Sequence, residues 1–226
     1  YIINTKNKNL GLVFLIFFLS SIFITGDRSN FLKSILIIII LFFIFDRSYI
    51  KKISFLFLLL AFFITLTLTT NPVYKVRYSN DLFGALKKNN YNLITHVYNT
   101  EYGKLYYTGY ELFINNKLFG VGNKNFRILC DKDFKEKLIR NFSKKRENLR
   151  CNTHPHQVYI EIMSEHGMLG LLILLVMLSM FIKDNLRFIY KKNNLLLTLQ
   201  FLIILSPFIP ILPTGSFFTS FNATLF

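Results

Sequence analysis

The chain has 226 residues, 52% of them apolar and 26 of them Phe, and carries a formal net charge of +15. The apolar residues come in blocks that a soluble core of this size does not need, so the composition excludes a soluble domain and points to a membrane protein. The cationic excess asks for an anionic partner, and in a membrane chain a lipid-borne anion fits where a nucleic acid does not.

Five runs approach spanning length at a rise of about 1.5 Å per residue. They are Leu10–Thr25, Phe31–Phe45, Ile53–Thr70, Met168–Ile182 and Leu195–Pro213, with Ser216–Phe226 opening a sixth. Several hold only roughly 15–16 residues against the usual ~17–25, so interfacial Tyr, Lys and Asn complete them. No small-residue cleavage site follows Thr25, so the first run does not read as a cleavable signal peptide. The chain begins at Tyr1 and its last run stops mid-pattern at Phe226, which reads as a fragment of a larger polytopic protein.

Short-loop cations orient the runs. Lys6 and Lys8, then Arg47, Lys51 and Lys52, then Lys183, Arg187, Lys191 and Lys192 alternate correctly and read as cytoplasmic. The expected organisation is three transmembrane helices in 1–70, an external loop in 71–167, and two helices plus the start of a third in 168–226. The loop is itself basic, with about sixteen Lys and Arg against nine Asp and Glu. Long loops translocate largely regardless of charge, so this leaves the orientation unchanged.

Within the loop, Tyr102–Asn115 carries Leu105, Tyr106, Gly109, Leu112 and Phe113 at helical spacing and stops before Gly120 and Gly122. Asp131–Asn148 is highly charged, with Phe134, Leu138 and Phe142 on one face, and reads as a surface helix. Thr153 is the expected N-cap of a third helix, with Pro155 in its first turn and His156, Tyr159, Ile160 and Met163 on one face. The chain's two cysteines, Cys130 and Cys151, both fall in this loop. In an oxidising compartment such as the bacterial periplasm a disulfide is the natural reading. Unpaired thiols, or a zinc site with His154, His156 and His166, are the alternatives, the latter without a Cys-x2-Cys signature.

Four residues offer chemistry. His156, at the loop's end, has a side chain able to take a proton from a hydroxyl near neutral pH, against the plainer role of a polar interfacial anchor. Arg28, in Thr25-Gly-Asp-Arg28-Ser-Asn30, and Arg77, in Lys75-Val-Arg77-Tyr78, stand on the same side as His156 by the topology above. Their guanidinium groups can fork onto phosphate oxygens, or simply snorkel. Arg127 follows Gly120-Val-Gly122, a weak phosphate signal with no strand before it, so a dinucleotide fold is unsupported. No convincing pair of glycosidase-type carboxylates is present.

The segments Thr25-Gly-Asp-Arg-Ser29, Leu118-Phe-Gly-Val-Gly122 leading to Phe126-Arg127, and His154-Pro-His-Gln157 together resemble the bacterial O-antigen ligase and O-antigen polymerase superfamily. The most specific part is His156-Gln157, nine residues, then Gly167-Met-Leu-Gly170, which is similar to that family's His-[Asn/Ser/Gln]-x9-Gly-x-x-Gly pattern. Gln157 stands where Asn is commoner. The Arg that many members carry ahead of the helix leading to Gly-x-Gly is not evident among Tyr102, Gly103 and Lys104, which leaves Lys104 or Arg77 for that contact. The placement of Cys130 and Cys151 also looks like one subgroup.

The resemblance implies an all-α, polytopic, GT-C-like glycosyltransferase of the bacterial inner membrane with a large, mostly helical periplasmic loop, inverting and without metal or cofactor. Its donor would be a glycan on undecaprenyl pyrophosphate, among membrane lipids. His156 would be the catalytic base. Arg28, Arg77, Arg127 and Lys104 would hold the pyrophosphate, and His154, Gln157, Glu165, Gly167 and Gly170 would support. A ligase would use a lipid A-core acceptor and a polymerase a repeat unit; the overall look of the matched segments leans toward the ligase. A polysaccharide flippase or transporter is the rival from another class. It would be expected to carry ionisable groups near the midplane, whereas these spans are almost free of charge, Lys33 lying near an end.

Overall fold

A computed structural model describes residues 8–45, 50–76, 78, 99–130, 150–192, 195–210 and 212–217. Among these the regular elements are all helical, and the chain divides into two compact units. One holds Tyr1–Tyr91 with Ile189–Ser206, the other Asn92–Phe188 with Pro207–Phe226. Arg77 and the Asp131–Asn148 segment lie outside the described residues.

The first unit contains α1 (Lys8–Thr25), α2 (Arg28–Phe45), α3 (Ile50–Thr70), the short α4 (Pro72–Tyr74) and, from late in the chain, α8 (Leu195–Leu205). α1 packs on α2 and α3, and α8 packs on α2. Leu19, Phe23, Phe31 and Leu60 are its buried centre. Phe23 meets Phe31 edge-on at 5.5 Å and stacks on Tyr78 at 4.6 Å. Tyr74 and Tyr78 also donate their hydroxyls to the carbonyls of Ile24 and Phe23, so the last turn of α1 is capped from 50 residues away.

The second unit contains α5 (Glu101–Asn115), α6 (Phe126–Leu129) and α7 (Val158–Lys192) as far as Phe188. α5 begins where Thr100 accepts the Gly103 N–H, and it buries Leu105, Thr108, Gly109, Leu112 and Phe113. Gly109 lets it lie close to α7, because a Cβ there would stand 2.4 Å from Ile160 Cγ2. Cys130 and Cys151 are joined by a disulfide, with Cα atoms 5.2 Å apart, packed with Leu112 and Phe126. Beside it the Thr108 hydroxyl accepts the Arg150 N–H at 3.1 Å, and Arg150 pairs with Glu101.

α7 corrects the expected boundaries. The sequence pattern suggests a helix from Thr153, a new span at Met168 and a loop over Lys183–Lys192; the structure starts the helix at Val158, breaks it at Gly167, directly before Met168, and keeps Lys183–Lys192 helical. Lys183, Arg187, Lys191 and Lys192 are its final turns, where no Gly or Pro interrupts and cations suit the C-terminal end of the helix dipole. The run Leu195–Pro213 is helical only to Leu205, then makes a 3-10 turn over Ser206–Phe208, since Pro207 cannot continue a helix. Among the described residues one helix, Val158–Ile189, is long and apolar enough to cross a membrane; Val13–Thr25, Phe57–Thr70 and Leu196–Phe208 are shorter apolar helices.

The one break in α7 is at Gly167, whose φ of 67° and ψ of −159° are not helical. There the helix exchanges hydrogen bonds with the 117–122 loop. Val121 and Gly122 donate to the Ser164 and Glu165 carbonyls at 2.9 and 2.8 Å, and Met168 and Leu169 donate to the Lys117 and Leu118 carbonyls at 2.7 and 3.4 Å. Four groups that an unbroken helix would pair within itself are thus paired with the loop. The two backbones approach too closely for side chains. A Cβ on Gly167 would lie 2.4 Å from the Leu118 carbonyl oxygen, and one on Gly120, also at φ 67°, would lie 2.4 Å from the Glu165 carbonyl carbon.

Gly167→Ala and Gly120→Ala should each destabilise the protein by more than about 2 kcal/mol, since each adds a left-handed penalty to a backbone clash. Gly215→Ala, with open space around its Cβ, should stay within about 0.5 kcal/mol of the parent in the same thermal melt. Reduction of Cys130–Cys151, or its replacement by paired serines, should cost on the order of 3 kcal/mol by the same measurement.

Candidate functional site

The site grows from the start of α7. The helix begins at Val158 because Gln157 caps it: its buried side-chain oxygen accepts the Ile160 N–H at 2.8 Å, while its carbonyl accepts the Glu161 N–H. This displaces the expectation of a cap at Thr153 and a first turn through Pro155. His156 has a φ of 58°, a left-handed conformation incompatible with a helix running through it. His156 therefore does not share a helical face with Tyr159, Ile160 and Met163; it projects from the turn that precedes the helix. The Thr214 N–H holds that turn by donating to the His156 carbonyl at 2.8 Å. A non-glycine residue held in this region stores strain of about 1–3 kcal/mol, which surrounding contacts must offset.

Around the His156 ring stand His154, with ring centroids 4.0 Å apart, Tyr102 from α5 in a T-shaped pair with centroids 5.6 Å apart, and the Asn152 amide nitrogen, 3.0 Å from Nε2. Burial pushes the His154 imidazole down to about 4, reinforced by His156 and opposed by the Thr214 backbone. Burial likewise lowers His156, again opposed by Thr214. Burial thus favours the neutral form of both rings, and the His156 Nε2 faces the Asn152 amide. Two polar atoms of this neighbourhood are buried without a hydrogen-bond partner, His154 Nε2 and the Thr214 hydroxyl. Each such atom costs about 1–3 kcal/mol unless a ligand or water meets it.

Two buried carboxyls, one turn apart on α7, fasten the surroundings. Glu161, 1% exposed, accepts from the Ser216 hydroxyl and, at 2.9 Å, from the Phe217 N–H, and so anchors the segment that carries Thr214. Glu165, 2% exposed, accepts the Lys124 N–H at 2.8 Å and the Phe126 N–H at 3.3 Å. The loop after Gly120-Val-Gly122 therefore spends its N–H groups on an internal carboxyl and on α7, rather than presenting them to a phosphate. Gly170 leaves room for His166, whose Cβ would be 2.3 Å from a Cβ at that position.

Of the residues singled out in the sequence, the second unit brings His154, His156 and Gln157 into one turn, and Glu165, Gly167 and Gly170 onto the following helix. Lys104 is half-buried on α5, two residues beyond Tyr102, and Arg127 is exposed on α6. Arg28 belongs to the first unit, half-buried as the first residue of α2. Its neighbours in the Thr25–Ser29 motif have local work: Asp27 caps α2 by accepting the Asn30 N–H at 3.1 Å, and Gly26 donates to Phe23 at the end of α1. The zinc alternative loses its thiolates to the disulfide, and no group of three or more His, Cys, Asp or Glu able to hold a metal occurs among the described residues. Sequence reading missed Asn152, Thr214 and the Glu161–Ser216 contact. Glu161 and Glu165, four apart just ahead of the apolar run from Met168, were the available signal.

Neither a curated protein nor a solved structure matches the chain. The O-antigen ligase family does match, over residues 12–175, a stretch that includes the capped turn at His156, the broken helix at Gly167 and the glycine loop paired with it. The chain belongs to the O-antigen ligase family.

Proposed function

We propose that the protein is a polytopic membrane glycosyltransferase that moves a glycan from undecaprenyl pyrophosphate to an acceptor sugar at the periplasmic face of the bacterial inner membrane, as an O-antigen ligase with lipid A-core as acceptor. Family membership supports glycan transfer in general. The observation that carries the mechanism is His156: a neutral imidazole on a strained turn, beside buried polar atoms that lack partners.

A membrane setting is supported by α7, where Ile173, Val176 and Met177 are 55–63% exposed in a helix with little reason to show them to water. Phe14, Phe17 and Phe18 on α1 and Phe62 on α3 are exposed in the same way. The short-loop cations favour a periplasmic position for the His156 segment.

In the proposed step His156 removes the acceptor hydroxyl's proton as that oxygen bonds to the anomeric carbon. The bond from that carbon to the pyrophosphate oxygen breaks, and its electron pair leaves with the lipid pyrophosphate. Attack opposite the leaving group inverts the anomeric centre. Arg28 and Arg77, with Arg127 or Lys104, would hold the pyrophosphate and stabilise its growing charge, a role permanent cations can fill without a metal. Gln157, Glu165, Gly167 and Gly170 fix the turn and helix, and His154 packs against the base.

The same machinery serves a polymerase, whose acceptor is a further lipid-linked repeat unit. Complementation of ligase-null and polymerase-null strains, read as glycan length on gels, separates the two. His156→Ala should lower transfer in liposomes by about 10²–10⁴-fold while the protein stays folded and inserted; wild-type-like transfer removes His156 from the role of base. Arg28→Ala should lower donor use more than Arg28→Lys, and equal activity of the two counts against a forked phosphate contact. Because burial lowers the His156 pKa, the acid limb of kcat/KM should fall below the ordinary imidazole value of about 6.5; a limb above it contradicts the assignment. EDTA should leave the rate within about twofold, and zinc-reversible inhibition would reinstate a metal.

A further inference from the structure

Asn152 lies four residues before His156, outside the His-Gln-x9-Gly-x-x-Gly pattern, and is exposed. Its side chain makes two contacts of unlike kind. The Thr153 backbone N–H donates to its Oδ1 at 2.7 Å, and its Nδ2 stands 3.0 Å from His156 Nε2. The first contact fixes the second. A backbone N–H always donates, so the amide end facing Thr153 must be the oxygen, and the end facing His156 must be the NH2 group. An NH2 group has no lone pair to offer, so the nitrogen it meets must carry one. Nε2 is then the unprotonated nitrogen, and the ring's proton sits on Nδ1.

We propose that Asn152 is a positioning residue that holds His156 as its Nδ1–H tautomer and occupies, with its amide N–H, the place at Nε2 that an acceptor hydroxyl takes over. The inference rests on the reading of His156 as the base. An incoming O–H replaces the amide N–H as donor to the same lone pair, and transfer of that proton to Nε2 produces the imidazolium. The exposure of Asn152 makes the exchange feasible, since the displaced amide turns into solvent. Its neighbour Cys151 is pinned by the disulfide to Cys130, and Arg150 by Thr108, so the backbone that carries the amide is held while its side chain moves. Among the described residues, the titratable groups against the ring are His154 from its own segment and Tyr102 from α5.

Asn152→Asp tests this with little change of shape. One carboxylate oxygen keeps the Thr153 N–H, and the other can only accept, so it demands a proton on Nε2. Nitrogen-15 spectra of the full-length protein, with His156 assigned by comparison with His156→Ala, should show Nδ1–H in the wild type and Nε2–H in Asn152→Asp. Transfer by Asn152→Asp should fall at least tenfold at pH 7, and its acid limb should move to higher pH because a carboxylate favours the imidazolium. Asn152→Ala should mix the two tautomers and lower kcat about threefold to tenfold with donor KM unchanged. A wild-type Nε2–H tautomer, or an Asn152→Asp protein with unchanged tautomer and rate, overturns the role of Asn152 and leaves the base assignment standing. Full transfer by His156→Ala overturns the base assignment itself, and the acceptor-placeholder role with it.

Discussion

The second unit depends on an exchange of backbone hydrogen bonds. A helix broken inside an apolar stretch leaves N–H and C=O groups that must find partners, and water is a poor source in such surroundings. Here the 117–122 loop supplies C=O groups to the Met168 and Leu169 N–H groups and N–H groups to the Ser164 and Glu165 carbonyls. The loop serves as a stand-in for the missing turn. That geometry requires glycine on both sides, at Gly120 and Gly167, because the two main chains touch where side chains would otherwise stand.

The rest of the site follows from this lock. With the loop fixed on α7, Glu165 meets the N–H groups of Lys124 and Phe126, which sets the start of α6. α6 ends at Cys130, and the disulfide hands that position to Cys151 and its neighbour Asn152. From the other direction Gln157 starts α7 and leaves His156 outside it, under a clasp from Thr214. Two independent routes thus converge on one imidazole, one through the disulfide and one through the helix cap. Convergence of this kind is what allows a residue to be held at an unfavourable φ.

Local signals in the sequence were legible and long-range ones were not. α5 could be read to within one residue, because its apolar spacing and the polar Asn115-Asn116 at its end are local. The start of α7 could not. Thr153 is a better intrinsic cap than Gln157, and Pro155 suits a first turn, but a hydrogen bond from Thr214, 58 positions beyond His156, holds the turn open. The cations after Ile182 read as a loop because charge often marks one, whereas Lys and Arg are good helix formers at a helix's C-terminal end. His156, Gln157, Gly167 and Gly170 were visible as a spaced motif. Asn152 and Thr214 were not, since nothing in a sequence says which way an amide faces or which carbonyl a distant N–H will meet.

The nine residues between Gln157 and Gly167 also act as an angular gauge. They comprise about two and a half turns at 3.6 residues per turn, running from the cap that releases His156 to the break that admits the loop. Within that interval Glu161 and Glu165 project to nearly the same side, one gripping the segment of Thr214 and the other the turn at Lys124. Inserting or deleting a single residue would rotate everything beyond it by about 100° and swing one carboxyl away from its partners. Length here encodes direction: the number of residues between the cap and the break sets where the two carboxyls point.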